Sequence, residues 1–216
     1  MSVYMPILPK NIKKYVIPAL LTHSKGEFLR DIQMVKNARP KAKLVQLDVC
    51  DGKFVDNTTW GTPNQVKNLD IQMSFEVHLM VKNPEKAYKQ WIEAGASRVV
   101  FHQEATKDPM SLAKAIKAAG AKPIIALNPD TSIVLEPLIL KEIYGILMMG
   151  VHPGFGGQPM VGGTIQRVRT LRKKHPRLRI GVDGGVNAKN AQKLLDAGAT
   201  ELIMGSGFFK NNFSKN

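Results

Sequence analysis

The chain has 216 residues, 44% of them hydrophobic, enough to bury one sizeable core, and carries a formal charge of +14. No apolar run approaches the roughly 18 residues of a membrane helix, so a soluble protein without a membrane partner is expected. Cys50 is the only cysteine, which excludes an internal disulfide, and no charged-then-apolar leader opens the chain, so a reducing cytoplasm is the expected location.

The opening is basic, "PKNIKKY", and residues 1–14 are read as a basic extension to a single domain covering 1–216. The strand "YVIPALL" follows, then the helix "GEFLRDIQMVKN", with Phe28, Leu29, Ile32 and Val35 on one face. The strand "KLVQLDV" leads into a turn-rich loop with a short helix at 63–69, and next comes the strand "MSFEVHLMV". In "NPEKAYKQWIEAGA", Asn83 is the N-cap, Pro84 the first helical residue and Gly95 the terminator, with Ala87, Tyr88, Trp91 and Ile92 on the buried side. Gly120 and Gly198 close later helices in the same way, and strands recur as "SRVVFH", "KPIIALN", "YGILMMG", "LRIGVD" and "TELIMG". The densest basic run, "RKKHPRLR" at 172–179, has no interleaved aromatics and reads as a solvated helix end, so no nucleic-acid partner is expected.

Eight near-continuous apolar strands alternating with amphipathic stretches imply right-handed parallel crossovers and an α/β fold, a closed (β/α)8 TIM barrel. So little chain follows Gly205 that the last helix is expected to be short or missing.

Active sites of such barrels lie at the carboxyl ends of the strands. Polar residues gather there: Asp48 and Asp51 after the second strand, His78 in the third, His102 and Glu104 after the fourth, Asn128 after the fifth, His152 after the sixth and Asp183 after the seventh. A lone histidine in an apolar strand is ordinarily a hydrogen-bonded core residue, but five or more polar strand ends aimed into one mouth argue for a site. Asp51 reads differently, as a carboxylate bonding backbone N–H groups in the "DGK" turn. The glycine-rich turns "HPGFGGQ", "VDGGVN" and "MGSGFF" share the rim, where close backbone approach and helix N-termini favour an anion; each alone could be a tight connection, but together they suggest a phosphate cradle.

The run "LDVCDGKFVDN", the strand "EVHLMV", the turn "HPGFGGQ", the segment "VDGGVN" and the closing "GS" resemble, in order and spacing, the ribulose-phosphate 3-epimerase family over residues 17–209. The resemblance implies a ribulose-phosphate-binding barrel of the pentose phosphate pathway that interconverts D-ribulose 5-phosphate and D-xylulose 5-phosphate by moving one proton at C3. It implies Asp48 and Asp183 as the acid–base pair, and Asp48, His78 and Asp183 as ligands of one divalent cation, zinc, iron, manganese or cobalt. It places the substrate against His78, with its phosphate on Gly154, Phe155, Gly156, Gly157, Gly184, Gly185, Gly205 and Ser206. The implied partners are a small phosphorylated sugar and further copies of the chain.

Several positions depart from the family pattern. Gln46 stands where a histidine ligand precedes the base, Ala19 where a serine contacts substrate, Cys50 where a methionine follows the base, and Gly181 where a glutamate precedes "VDGG". An amide oxygen is a weak zinc ligand, which leaves three readings open: a three-residue metal site completed by Gln46 or water, a metal-free site in which Gln46 donates a hydrogen bond to the enediolate, and a degenerate enzyme. The metal-assisted epimerase is the preferred one. A ketohexose-phosphate 3-epimerase, for example of allulose 6-phosphate, and a non-catalytic sugar-phosphate-binding barrel are the alternatives.

Overall fold

The computed structural model describes residues 8–38 and 41–213, the side chains of residues 10 and 210–213 excepted. Residues 1–7 of the basic opening thus lie outside the described residues; beyond them, a single helical turn, α1 (Lys10–Lys13), anchors Ile12 in the core.

Eight strands follow: β1 (Val16–Leu20), β2 (Leu44–Cys50), β3 (Ser74–Met80), β4 (Ala96–His102), β5 (Lys122–Leu127), β6 (Gly145–Met149), β7 (Ile180–Asp183) and β8 (Glu201–Met204). They pair in sequence order, all parallel, and β8 returns to β1 to close the barrel. Between them lie α2 (Lys25–Asn37), α3 (Pro63–Asn68), α4 (Pro84–Glu93), α5 (Pro109–Ala118), α6 (Thr164–Lys174) and α7 (Ala191–Asp196), with α8 (Ser206–Phe213) after β8. Two apolar layers hold the fold. A large one lies between strands and helices, and a smaller one, including Ile17, Ala19, Val100, Ala126, Leu147, Met149 and Ile203, fills the barrel.

Local chemistry sets the helix ends. The Ser24 and Asp108 side chains accept from the backbone N–H groups of Glu27 and Ser111, and Thr62 forms a reciprocal capping box with Gln65. Asn83 holds the N-cap position of α4 without a side-chain capping bond, so Pro84 carries that start. Gly95, Gly120 and Gly198 end their helices at φ of 105°, 91° and 107°, as glycine stop signals require. On α2, Phe28, Ile32 and Val35 are buried, whereas Leu29, expected on the same face, is an exposed apolar residue. The basic end of α6 is more than a solvated run: Arg172 donates to the carbonyls of Gly198, His175 and Pro176, satisfying backbone acceptors.

The last helix forms, though it is short; the larger departure from regular alternation lies after β5, where a single 3-10 turn at Ile139–Lys141 stands in for an α-helix. Pro129 and Pro137 and the branched run Thr131, Ile133 and Val134 disfavour a helix there. Gly181 faces the barrel interior: a Cβ there would stand 2.9 Å from Leu147 Cδ1 and 3.2 Å from Ile203 Cδ1, so a side chain at this position requires those two side-chain ends to shift.

Candidate active site

Residues in register across a parallel barrel share a face, which fixes which side chains meet. Gln46 is level with inward-facing Ala19, Asp48 with His78, and Asp183 with Met149 and Ile203. Gln46, Asp48, His78 and Asp183 therefore converge inside the carboxyl end of the barrel.

The convergence is tight. His78 Nδ1 lies 3.3 Å from Asp48 Oδ1 and 3.5 Å from Asp183 Oδ2. Gln46 Nε2 donates to Asp48 Oδ1 at 2.9 Å and to Asp183 Oδ2 at 2.8 Å, bridging strands 137 residues apart in sequence. Burial drives the Asp48 carboxyl upward, the neighbouring Asp183 charge adds to this, and hydrogen bonds from His78 and Gln46 oppose it. Burial alone would lower His78, but contacts with Asp183 and Asp48 outweigh it and raise the imidazole to about 9. On its far side, His78 Nε2 is 2.9 Å from His102 Nε2. Burial lowers His102 to about 4, the opposite direction from His78.

A cavity of about 290 Å³ opens above these groups. Asp48, His78 and Asp183 line its floor, and Gly154, Phe155, Gly156, Gly157, Gly184, Gly185, Gly205 and Ser206 line its wall. Gln46 lies beneath, fully buried. Gly185 shows why the wall is glycine: at φ 68°, a Cβ would fall 2.4 Å from the backbone nitrogen of Met160. Ser206 and Gly207, which begin α8, line the same space.

Other strand-end residues serve the rim. The Asp51 carboxylate accepts from the N–H groups of Lys53, Phe54 and Lys82, each at 2.9 Å, and these bonds outweigh burial to lower its pKa. Glu104 accepts from Asn128 N at 2.9 Å and from the Thr131 hydroxyl, tying the β4 and β5 ends together. His152 is mostly exposed, 3.5 Å from Asp130, away from the cavity lining. Cys50 packs with Val55 and Met80, its thiol pushed up to about 12 by burial and by Asp48 and Asp51, so it offers no nucleophile.

Sequence reasoning missed two supports. Asn57 Nδ2 donates to Gly154 O at 2.5 Å, joining the loops after β2 and β6, and Gln158 Nε2 donates to the carbonyls of His152 and Phe155, bracing the glycine turn. Asparagine at a loop tip and glutamine after a double glycine were the available signals.

The donor set suits a divalent cation in kind: one oxygen each from Asp48 and Asp183 and one nitrogen from His78 lie within 4.8 Å of one another. Gln46 complicates the fit, because its amide nitrogen stands among these atoms while its buried Oε1 has no hydrogen-bond partner.

The family model for the ribulose-phosphate 3 epimerase family matches residues 15–209. The chain belongs to that family. It is 34% identical over 211 residues to the ribulose-phosphate 3-epimerase of Eremothecium gossypii, covering 92% of this chain and 87% of that protein. It is likewise 34% identical over 204 residues to the enzyme of Buchnera aphidicola, and 38% identical over 176 residues to that of Mycobacterium leprae, the latter covering 78% of this chain and 77% of that protein. Among solved structures, the tryptophan synthase α-subunit of Pyrococcus furiosus superposes with a TM-score of 0.68 at 13% identity, covering 91% of this chain and 89% of that one, a likeness of fold alone. Among the described residues, no helix is long and apolar enough to cross a membrane.

Proposed function

We propose that this epimerase interconverts D-ribulose 5-phosphate and D-xylulose 5-phosphate, with Asp48 and Asp183 carrying the C3 proton. One observation supports the reading above all: two carboxylates borne by β2 and β7 line one cavity, joined below it by a single amide nitrogen.

The C3–H is acidified by the neighbouring C2 carbonyl. One aspartate takes this proton, and the other returns a proton to the opposite face; in the reverse direction the two exchange roles. Burial suits Asp48 to this work, since a carboxylate whose pKa is raised is a stronger base than an exposed one. A positioned base of this kind contributes about 10²- to 10⁴-fold. The wall glycines and Ser206 would hold the phosphate through backbone N–H groups, fixing C3 over the carboxylates. Gln158 and Asn57 keep the β6 turn in place for that contact.

A divalent cation, zinc, iron, manganese or cobalt, would be held by Asp48, His78 and Asp183, and when bound it supplies positive charge against the enediolate. The chain would work as one barrel domain in the cytoplasm, assembled with further copies of itself. Ala19 lines the cavity without a hydroxyl, leaving room that favours a longer ketose phosphate as a second substrate.

The test is incubation with ribulose 5-phosphate in deuterium oxide, followed by NMR. Xylulose 5-phosphate carrying deuterium at C3 is expected. Exchange with allulose 6-phosphate alone would move the assignment to the hexulose phosphate, and binding without exchange to either sugar would make the protein a sugar-phosphate binder.

A further inference from the structure

Gln46 has three features that together define a role. It is fully buried on β2, two residues before Asp48. Its Nε2 contacts the three side chains whose ligand atoms converge: Asp48 at 2.9 Å, Asp183 at 2.8 Å and His78 Nδ1 at 3.4 Å. Its Oε1, by contrast, is buried with no hydrogen-bond partner.

An amide nitrogen has two protons, and here each serves a different carboxylate. The nitrogen stands at the point to which a cation's ligands would turn. The reverse orientation would set a carbonyl dipole against two carboxylates, which is unfavourable unless a positive ion lies between them. Leaving Oε1 unbonded is the lesser cost, because both hydrogen bonds gained are to ionised acceptors.

We infer that Gln46 is a placeholder that competes with the divalent cation for the Asp48–Asp183 pair, rather than one of its ligands. The inference rests on the reading of Asp48, His78 and Asp183 as the cation site. The two carboxylates already share a donor in the Gln46 amide nitrogen, at the cost of an unpaired Oε1. A cation entering between the same oxygens displaces both amide hydrogen bonds. Turning the amide over gives back one neutral oxygen ligand, weak toward zinc. Cation affinity is therefore set by the competition, and this chain holds its ion less tightly than the three converging ligands alone would.

The two roles predict opposite signs. A ligand's removal weakens binding, whereas a competitor's removal strengthens it. The probe is Zn²⁺, titrated calorimetrically into the chelator-treated full chain and its Gln46→Ala, Gln46→Leu and Asp183→Asn variants. Gln46→Ala is expected to tighten Zn²⁺ binding by about tenfold or more, the scale of a charge-assisted hydrogen bond. Gln46→Leu, similar in size but unable to donate or ligate, should shift affinity the same way. Unchanged or weaker binding in both variants would overturn the proposal.

The unaltered chain supplies a second readout that does not depend on how the variants fold. In ¹H–¹⁵N spectra of the cation-free protein, both Gln46 side-chain protons should be protected from solvent exchange, and Zn²⁺ should abolish that protection or move both resonances. Resonances indifferent to Zn²⁺ would overturn the proposal. Zn²⁺ affinity that Asp183→Asn leaves unaltered would overturn the site reading itself, and the proposal with it.

Discussion

The two ends of this barrel both bury carboxylates and compensate them in opposite ways. At the amino end of the strands, Glu201 bonds Arg98 at 2.9 Å and Arg179 at 3.2 Å, with Glu76 3.4 Å from Arg98. Arg98, Lys122 and Arg179 also stand over the Tyr144 ring at 4.8, 4.8 and 4.7 Å. At the carboxyl end, among the described residues, Asp48 and Asp183 pair with no lysine or arginine; an amide and an imidazole are their hydrogen-bonding partners. Guanidinium partners fix a carboxyl group in place between strands, as Arg98 and Arg179 do for Glu201. Partners that can rotate, titrate or be displaced leave it free to take and give protons, so the same buried charge is structural below and chemical above.

The sharpest way to break this contrast is to remove a carboxylate from the upper end and a cation from the lower. Asp183→Asn should lower kcat for epimerisation by about 10²- to 10⁴-fold while KM for the sugar phosphate stays within a few-fold, because the phosphate wall is untouched. At the lower end, Arg98→Met should leave Glu201 undercompensated and cost about 3–5 kcal/mol in urea unfolding, with deuterium exchange at C3 retained in the folded fraction.

Glu76 sharpens the comparison through pH. Burial, only partly offset by Arg98, raises its carboxyl to about 8, so the folded state keeps a proton that the unfolded chain has released. Its contribution is fully present below about pH 4.5 and lost as pH rises through about 8. Gln in its place imitates the protonated acid: Glu76→Gln should match the parent near pH 4.5 and exceed it above pH 8 by up to about 5 kcal/mol. Thermal unfolding across that range reads the difference, and parallel stability curves would refute the account of Glu76.

Glu104 gives the smallest effect and the opposite sign. Although burial works against ionisation, contacts with His102, Thr131 and Asn128 N lower it to about 2. Its contribution is present above about pH 4.5 and lost as pH falls through about 2. Glu104→Gln should cost about 1 kcal/mol at pH 6, solvent screening reducing the full linkage value, and nothing near pH 2, as acid-unfolding midpoints would show.

Much of this architecture was legible because it is local. Runs of branched residues mark the strands, glycine marks the helix ends, and polar residues at strand ends mark the mouth. The missing helix after β5 was not, because "SIVLEPLILKEI" has the apolar content of a helix and only its prolines and branched residues argue otherwise. The lower ion cluster escaped for another reason. Glu76, Arg98 and Glu201 each look like an ordinary charge near a strand's start, and only closure of the barrel brings them together. Gln46 lies between: its difference from the family is plain in the sequence, but which amide atom meets the carboxylates depends on Asp183, 137 residues away.

The central claim is that the two aspartates serve opposite faces of C3, and solvent exchange in single variants tests it most directly. With Asp48→Asn and Asp183→Asn each incubated in deuterium oxide with ribulose 5-phosphate and, separately, xylulose 5-phosphate, epimerisation should fall by about 10²- to 10⁴-fold in both. Slow C3 exchange should survive from one epimer in the first variant and from the other epimer in the second. Exchange from the same epimer in both variants, or epimerisation undiminished in either, would contradict the account.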